Sequence, residues 1–302
     1  MGLAGPQLGA VLRSAGIALA GVLLGIWGSR RSAAPRSPSP GFPGEVVVKV
    51  DPNVMQGNTR FVTNGVMVEF PDGSRIPAND VFAAYEALYF GAALTCHQEV
   101  LPRWKGLPIQ QHGGDLFKVA HFLWTERPDV MIELGTDTGG SAVFYAELMT
   151  GYNPSARVIT IDTGDNTARS ASGFVPGVLA TSSKLWGTAV RQLVGPPLSL
   201  VRNVSSMLEE LGAAKVFLME DSDHTYSTVS ANLKAYQHLV GPCDWILVHD
   251  TLKEPGAVRA LNEFLVSHDD FRVNRQYEFC PAGPFTEHPQ SWLRRAGPLC
   301  GV

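Results

Sequence analysis

Residues 130–141 read Val-Met-Ile-Glu-Leu-Gly-Thr-Asp-Thr-Gly-Gly-Ser. The first five suit a buried strand, the glycines form a tight turn, and residues 141–150 continue as a helix. Glycine lets the backbone approach a ligand closely, and a helix N-terminus directs free N–H groups at an anionic group. The pattern predicts a cofactor-binding turn of the dinucleotide-fold kind, although its spacing differs from GxGxxG. A tight strand–helix connection without a ligand is the alternative.

Composition limits the class of protein. The chain has 302 residues, 45% of them hydrophobic and 17% charged, with a formal net charge of −4. These values suit one sizeable α/β domain with appendages and argue against a nucleic-acid partner, since no basic stripe is present. The cysteines are widely spaced and predict separate thiols in the core or in loops instead of a disulfide framework; they are Cys96, Cys243, Cys280 and Cys300.

The first 44 residues differ from the rest, because they contain no Asp or Glu and include an apolar run at 14–27. We predict that residues 1–31 form an apolar helix and a single-pass membrane anchor. A cleaved signal or transit peptide, which would leave the protein in an organelle or secretory lumen, and a peripheral segment are the alternatives. Residues 32–44 are rich in Pro, Ser and Arg and predict a flexible linker.

Residues 45–110 predict a small β-hairpin and a helical lead-in. Asn64-Gly65 separates two β-prone runs, 60–63 and 66–70, which is the pattern of a type I′ hairpin, and Asp72-Gly73 marks another turn. A helix follows over residues 79–96. We interpret the hairpin as a packing surface or the surface of a homo-oligomer.

Residues 111–302 alternate between strand and helix patterns, which predicts an α/β domain with a parallel sheet and right-handed crossovers. The predicted strands lie at 130–134, 157–161, 198–201, 216–219, 245–248, 271–277 and 292–295. The predicted helices lie at 115–126, 141–150, 181–193, 205–211, 226–240 and 255–267.

Polar residues follow the central strands, at the sheet edge where ligands of such folds bind. Asp162 ends the second strand and is placed to accept hydrogen bonds from ribose hydroxyls, with helix capping as the alternative. Asp221 and Asp250 follow what should be neighbouring strands, so a divalent cation such as Mg²⁺ is expected between them. His224 is placed to accept a proton from a hydroxyl group near neutral pH.

Taken together, these residues resemble the cephalosporin hydroxylase family, which includes rhamnosyl O-methyltransferases. The resemblance covers residues 104–295 and implies a class I S-adenosylmethionine-dependent methyltransferase. The implied fold is a Rossmann-like, seven-stranded, mostly parallel sheet with helices on both faces and an antiparallel seventh strand. The motifs that carry it are Glu133-Leu134-Gly135-Thr136-x-x-Gly139-Gly140-Ser141, Ile161-Asp162, Asp221-Ser222-Asp223-His224-Thr225-Tyr226 and Asp250-Thr251.

The resemblance also implies roles for these residues. Asp162 would hold the ribose of S-adenosylmethionine, and Asp221 and Asp250 would bind the cation, with Thr251 at the third ligand position. Similar metal-dependent O-methyltransferases have Asn at the position of Thr251, which leaves that ligand open. The rest of the cofactor would contact Glu133, Gly135, Thr136, Gly139, Gly140 and Ser141.

The resulting hypothesis is methyl transfer from S-adenosylmethionine to a hydroxyl group, with a sugar or glycolipid as the candidate acceptor. Mg²⁺ at Asp221 and Asp250 would polarise the hydroxyl, and His224 would accept its proton. Two alternatives stay open. An NAD-dependent oxidoreductase would use the same kind of sheet but expects a GxGxxG turn, and a non-catalytic membrane-tethered module would keep the fold without turnover.

Overall fold

The computed structural model describes residues 102–164, 179–279, 286–298 and 300, together with the backbone of three short strands nearer the N-terminus. These strands, β1 (Val47–Val50), β2 (Val66–Glu69) and β3 (Arg75–Pro77), form an antiparallel sheet in the order β1-β2-β3. The predicted strand after Asn64-Gly65 is confirmed as β2, and its partner is β1. The predicted partner, residues 60–63, lies outside the described residues, as does the predicted helix at 79–96.

The remaining elements alternate as the sequence predicts. In chain order they are β4 (Arg103–Trp104), β5 (Leu107–Pro108), α1 (Gly113–Glu126), β6 (Val130–Leu134), α2 (Gly140–Tyr152), β7 (Arg157–Asp162), β8 (Val190–Val194), α3 (Pro197–Leu211), β9 (Val216–Glu220), α4 (Tyr226–Tyr236), β10 (Trp245–Val248), α5 (Pro255–Ser267), β11 (Phe271–Val273), α6 (Gln276–Phe279) and β12 (Trp292–Arg295). β4 and β5 pair with each other in a small antiparallel ladder.

Seven strands form the main sheet, in the order β11-β12-β10-β9-β6-β7-β8. β6 lies at the centre and pairs in parallel with β7 and β9, and the parallel pairing continues to β8 on one side and β10 on the other. β12, the last strand in sequence, is antiparallel to both of its neighbours. The predicted mostly parallel seven-stranded sheet with an antiparallel seventh strand is therefore confirmed.

Alternate residues of the central strands point to opposite faces, and each face is covered by helices. On one face Met131 of β6 packs in a buried cluster with residues of α1 and α2. On the other face Ile132 packs with residues of α3, α4 and α5. All five residues of β6 are buried. Burial on both faces fixes the register of the sheet and hence the edge at which the strand ends meet.

Three local predictions are wrong. The predicted helix at 181–193 is a short 3₁₀ turn (Ala180–Ser182) followed by β8. The predicted strand at 198–201 lies inside α3, where Pro197 starts the helix with its fixed φ. The predicted strand at 271–277 ends at Val273. Each error falls in a stretch of mixed apolar and polar residues, where the periodicity does not separate an edge strand from a helix.

Two cysteines are joined, contrary to the prediction of separate thiols. Cys243, which precedes β10, forms a disulfide with Cys300 near the C-terminus. The widely spaced cysteines gave no signal for this pair, because 57 residues separate the partners and only the fold brings them together.

The predicted membrane location is also wrong. Within the described parts of the chain, no helix combines the length and apolar character needed to cross a bilayer. The apolar residues 1–31 and the linker at 32–44, on which that prediction rested, lie outside the described residues.

Candidate functional site

The turn after β6 leaves no room for side chains at two of its glycines. Gly135 has a positive φ of 114°, and a Cβ atom there would lie 1.9 Å from the Asp221 carbonyl oxygen. A Cβ on Gly140 would lie 2.0 Å from the carbonyl oxygen of Pro108. Real atoms do not approach this closely, so both positions require glycine. Glycine is required here because backbone packs closely against backbone around the site, in addition to any need to leave room for a ligand.

Asp162 ties the same turn to the end of β7. The backbone N–H groups of Thr136 and Asp137 both donate to its Oδ2 atom, at 3.1 Å each. A backbone N–H of Gly164 approaches Oδ1 at 3.4 Å. Asp162 lines the cavity next to the turn, at the carboxyl end of β7.

Glu133 is buried beneath the turn and does not line the cavity. It accepts hydrogen bonds from the Ser141 hydroxyl at 2.7 Å and the Thr160 hydroxyl at 2.6 Å. Burial raises the pKa of Glu133 to about 7, against the opposing effect of these two hydrogen bonds. The structure thus places Glu133 as a support of the turn, with Ser141 at the cavity wall.

Asp221, His224 and Asp250 meet at the carboxyl ends of β9 and β10. His224 Nε2 lies 3.1 Å from Asp250 Oδ2 and 4.0 Å from Asp221 Oδ1. Each residue offers one ligand atom, and these three atoms lie within 4.8 Å of one another. His224 and Asp250 both have positive φ angles, 58° and 56°. The structure therefore brings together the two carboxylates and the imidazole that the sequence singled out.

His249, which directly precedes Asp250, also belongs to this cluster, and the sequence assigned it no role. Its ring is buried, and Nδ1 lies 3.2 Å from Asp221 Oδ2. Burial opposes protonation of His249, but the charge and hydrogen bond of Asp221 outweigh it and raise its pKa to about 9. Burial likewise opposes ionisation of Asp221, yet the neighbouring imidazoles hold its pKa below the usual value. The two groups form an internal ion pair.

Asp250 has the opposite electrostatic environment. Burial, followed by the negative charge of Asp221, raises the pKa of Asp250 to about 6. His288 contacts the backbone of Asp250: its Nδ1 accepts a hydrogen bond from the Asp250 backbone N–H at 2.8 Å. Its ring stacks on that of His249, with 3.8 Å between the ring centroids. Burial, and then the charge of His249, holds the pKa of His288 well below its usual value, so this ring is a neutral acceptor.

Thr251 is not brought into the cluster. Its side chain is buried, and the hydroxyl donates to the carbonyl oxygen of Pro289 at 2.9 Å. The imidazole of His224, and not Thr251, lies beside the two carboxylates. The role of Thr251 that the resemblance implied finds no geometric support, and its hydroxyl secures the loop that carries Asp250.

One cavity of about 400 Å³ joins the glycine turn to this cluster. Its wall includes Gly135, Thr136, Gly140 and Ser141 on one side and Asp221, His224 and Asp250 on the other, whereas Gly139 is not part of it. Gln111 also lines the cavity and donates from Nε2 to Asp221 Oδ2 at 3.0 Å. The sequence gave no signal for Gln111, because it lies 110 residues from its partner.

Comparison with known proteins agrees with this geometry. The model of the family described as rhamnosyl O-methyltransferase/CmcI matches residues 98–296. Similar proteins include the rhamnosyl O-methyltransferases of Mycobacterium tuberculosis, 24% identical over 175 residues, and of Mycobacterium leprae, 23% identical over 175 residues. The alignments cover 58% of this chain, and 65% and 69% of those relatives.

Solved structures with a similar fold have lower sequence identity to this chain. A CmcI apo-structure is 18% identical and has a TM-score of 0.49, covering 65% of this chain and 76% of the other. An O-methyltransferase from Bacillus cereus is 14% identical with a TM-score of 0.41, covering 65% and 83%. The family model spans well over half of the chain, so the chain belongs to the rhamnosyl O-methyltransferase/CmcI family. The resemblance stated from the sequence is confirmed.

Proposed function

We propose that this member of the rhamnosyl O-methyltransferase/CmcI family transfers a methyl group from S-adenosylmethionine to a hydroxyl group of a sugar or glycolipid. The observation that carries the proposal is the shared cavity. A turn of the dinucleotide-fold type and an acid–imidazole cluster line the same 400 Å³ space. A methyl donor and a proton acceptor must meet at one hydroxyl oxygen, and this cavity offers a place for both.

The glycine turn and Asp162 are suited to the cofactor. The N-terminus of α2 follows the turn and favours the carboxylate of the methionine part, while Asp162 is placed to accept hydrogen bonds from the ribose hydroxyls. The sulfonium group carries a positive charge, and the charged side chains around the cavity are acidic except for His224. The acidic residues are Asp137, Asp162, Asp221, Asp223 and Asp250.

The same charge pattern favours an uncharged acceptor. Among the described residues the cavity wall carries five Asp side chains and no Lys or Arg, so a phosphate or carboxylate on the acceptor would face acidic side chains without a basic partner other than His224 and any bound cation. A neutral sugar hydroxyl carries no such penalty. The names of the relatives point to rhamnose-containing acceptors, in agreement with a neutral sugar.

His224 is the residue best placed to accept the hydroxyl proton. When bound, S-adenosylmethionine would supply the methyl group to the acceptor oxygen and leave as S-adenosylhomocysteine, and His224 Nε2 would accept the proton that the hydroxyl loses. Asp250, 3.1 Å from that nitrogen, stabilises the resulting imidazolium. The sulfonium already activates the methyl group, so the protein contributes mainly alignment of the two reactants.

The cluster also fits a divalent cation. The Asp221 and Asp250 carboxylates offer ligand atoms within 4.8 Å of each other, so we assign these two residues to the cation and His224 to proton transfer. When bound, the cation would polarise the acceptor hydroxyl. Thermal shift with MgCl₂ or MnCl₂ tests this assignment without an acceptor: we expect stabilisation of the wild type and none of Asp250→Asn. Equal shifts in both proteins would remove the cation from the site.

Methyl transfer itself is tested with radiolabelled S-adenosylmethionine and a panel of acceptors. Methyl α-rhamnoside represents a neutral sugar, and rhamnose 1-phosphate and a uronic acid represent anionic ones. We expect labelled product from the neutral sugar and at least tenfold less from the anionic compounds. Transfer that prefers the anionic acceptors would contradict the proposed acceptor class, and absence of cofactor binding would contradict the proposed reaction.

A further inference from the structure

Gln111 lies between Asp221 and a tyrosine that does not reach the cavity. Its side-chain Nε2 donates to Asp221 Oδ2 at 3.0 Å, and its Oε1 accepts the hydroxyl hydrogen of Tyr145. Tyr145 is fully buried on α2, and Gln111 is 7% exposed. These contacts form a continuous chain of hydrogen bonds from the interior of α2 to a carboxylate at the centre of the site.

The direction of this chain is fixed by the chemistry of its ends. An ionised Asp221 can only accept, so the amide of Gln111 must turn its nitrogen toward it. The amide oxygen then faces Tyr145, whose hydroxyl must donate. Burial, and then the charges of Glu133 and Asp221, raise the pKa of Tyr145 well above its usual value, so this hydroxyl keeps its proton. Without it, the amide of Gln111 could rotate and present oxygen to the carboxylate.

The backbone around Gln111 is held independently. The Pro108 carbonyl accepts the Thr138 hydroxyl at 3.2 Å and packs directly over Gly140. The Ile109 N–H donates to the Pro102 carbonyl at 2.8 Å. Because these contacts hold the backbone just before Gln111, we take the orientation of the Gln111 amide as the variable that the Tyr145 hydroxyl controls.

We infer that Tyr145 and Gln111 are positioning residues: the buried Tyr145 hydroxyl orients the Gln111 amide, which holds the Asp221 carboxylate in its working position at the wall of the cavity. Since α2 begins at the glycine turn, the same helix that follows the cofactor turn also positions Asp221. This inference rests on the proposed function for its kinetic consequence, whereas its structural consequence is independent of it.

Tyr145→Phe is the decisive variant, because it removes one hydroxyl that touches neither cavity nor ligand. Tyr152→Phe is the matched control on the same helix: its hydroxyl donates to the Pro128 carbonyl at 2.8 Å, away from the site. For Tyr145→Phe we expect kcat to fall about tenfold, as for other losses of an orienting hydrogen bond, with the Kd for S-adenosylmethionine within twofold. A kcat equal to that of Tyr152→Phe would overturn the inference.

Gln111→Leu gives a second arm. It should also lower kcat, and adding Tyr145→Phe to it should change kcat no further, because the hydroxyl acts only through the amide. Multiplying effects would mean that Tyr145 acts by another route and would overturn the inference. If Tyr145→Phe is poorly folded, Gln111→Leu by itself still tests the contact between the amide and Asp221, and an unchanged kcat would overturn the inference.

A crystal structure of Tyr145→Phe, compared with one of the wild type, separates failure of this inference from failure of the proposed function. We expect Asp221 to lose its contact with the Gln111 nitrogen, whether or not the wild type transfers methyl groups. An unchanged amide and carboxylate in the variant would contradict the positioning role even if methyl transfer were established.

Discussion

The glycine turn and the acid–imidazole cluster line one cavity but are held in different ways. At the turn, backbone meets backbone: added Cβ atoms would lie 1.9–2.0 Å from carbonyl oxygens. In the cluster, carboxyl groups and imidazole rings lie 3.1–3.2 Å apart. Substitutions that add volume should therefore impair the function of the turn. Substitutions that change charge at constant volume should impair the function of the cluster. Substitutions that separate these two sensitivities test the account.

Gly135→Ala should have the largest effect. The new methyl group would collide with the Asp221 carbonyl, so we expect at least a hundredfold loss of S-adenosylmethionine affinity together with a lower melting temperature. Gly212→Ala is the control, since Gly212 also has a positive φ, 60°, but its Cβ would meet nothing within 4 Å. It should cost about 1 kcal/mol of stability and leave affinity unchanged. Calorimetric binding that Gly135→Ala leaves intact would disprove the packing argument.

His224→Asn should come next, and it tests the cluster by its chemistry. Asn tolerates the positive φ of this position, so the backbone should persist while the base is lost. We expect kcat to fall by about 10² to 10⁴, the usual contribution of a general base, with cofactor affinity within threefold. Rapid-quench measurement of methyl transfer checks this. Retention of full kcat would show that another group accepts the proton.

Glu133→Gln should change how stability depends on pH. The folded-state pKa of Glu133, about 7, is above the ordinary 4.5, so the folded chain holds this proton more tightly than the unfolded chain does. Its stabilising contribution is complete below pH 4.5 and is lost as pH rises through 7, by at most about 3 kcal/mol. Urea unfolding at pH 5, 6, 7 and 8 should show a smaller decline for Glu133→Gln. The exposed Glu209→Gln serves as control and should keep the wild-type slope.

Thr251→Val should have the smallest effect. The variant keeps the shape of the side chain but leaves the Pro289 carbonyl without its donor, at a cost of about 1 kcal/mol. Because the Thr251 hydroxyl faces that carbonyl, the thermal shift produced by MnCl₂ should match the wild type. A loss as large as that of Asp250→Asn would restore Thr251 as a metal ligand.

Elements with two-sided burial were predictable from sequence. Strands β6, β10 and β12 and helix α5 have the predicted bounds. β6 and β10 are uninterrupted runs of buried residues, and Pro255 marks the start of α5. Edge elements were not: β8 and the start of α3 carry short runs that suit either structure. The pairing of β1 with β2 in the small sheet was also not predicted.

The candidate site divides in a similar way. Asp162, Asp221 and Asp250 could be grouped because the carboxyl ends of parallel strands meet at one edge. Gln111 and Tyr145 could not, since their roles depend on contacts between residues distant in sequence and on the direction of a side chain. Thr251 shows the converse: a motif position implied a ligand, and the fold turned its hydroxyl to Pro289 instead.

Calorimetric titration of the full chain with S-adenosylmethionine tests the central claim most directly, with NAD as the comparison ligand. A backbone turn with acidic walls should bind the sulfonium cofactor at one site with micromolar Kd, and Asp162→Ala should weaken binding at least tenfold through the lost ribose contacts. NAD should produce no heat of binding. A folded chain that ignores S-adenosylmethionine, or that binds NAD in its place, would contradict the account.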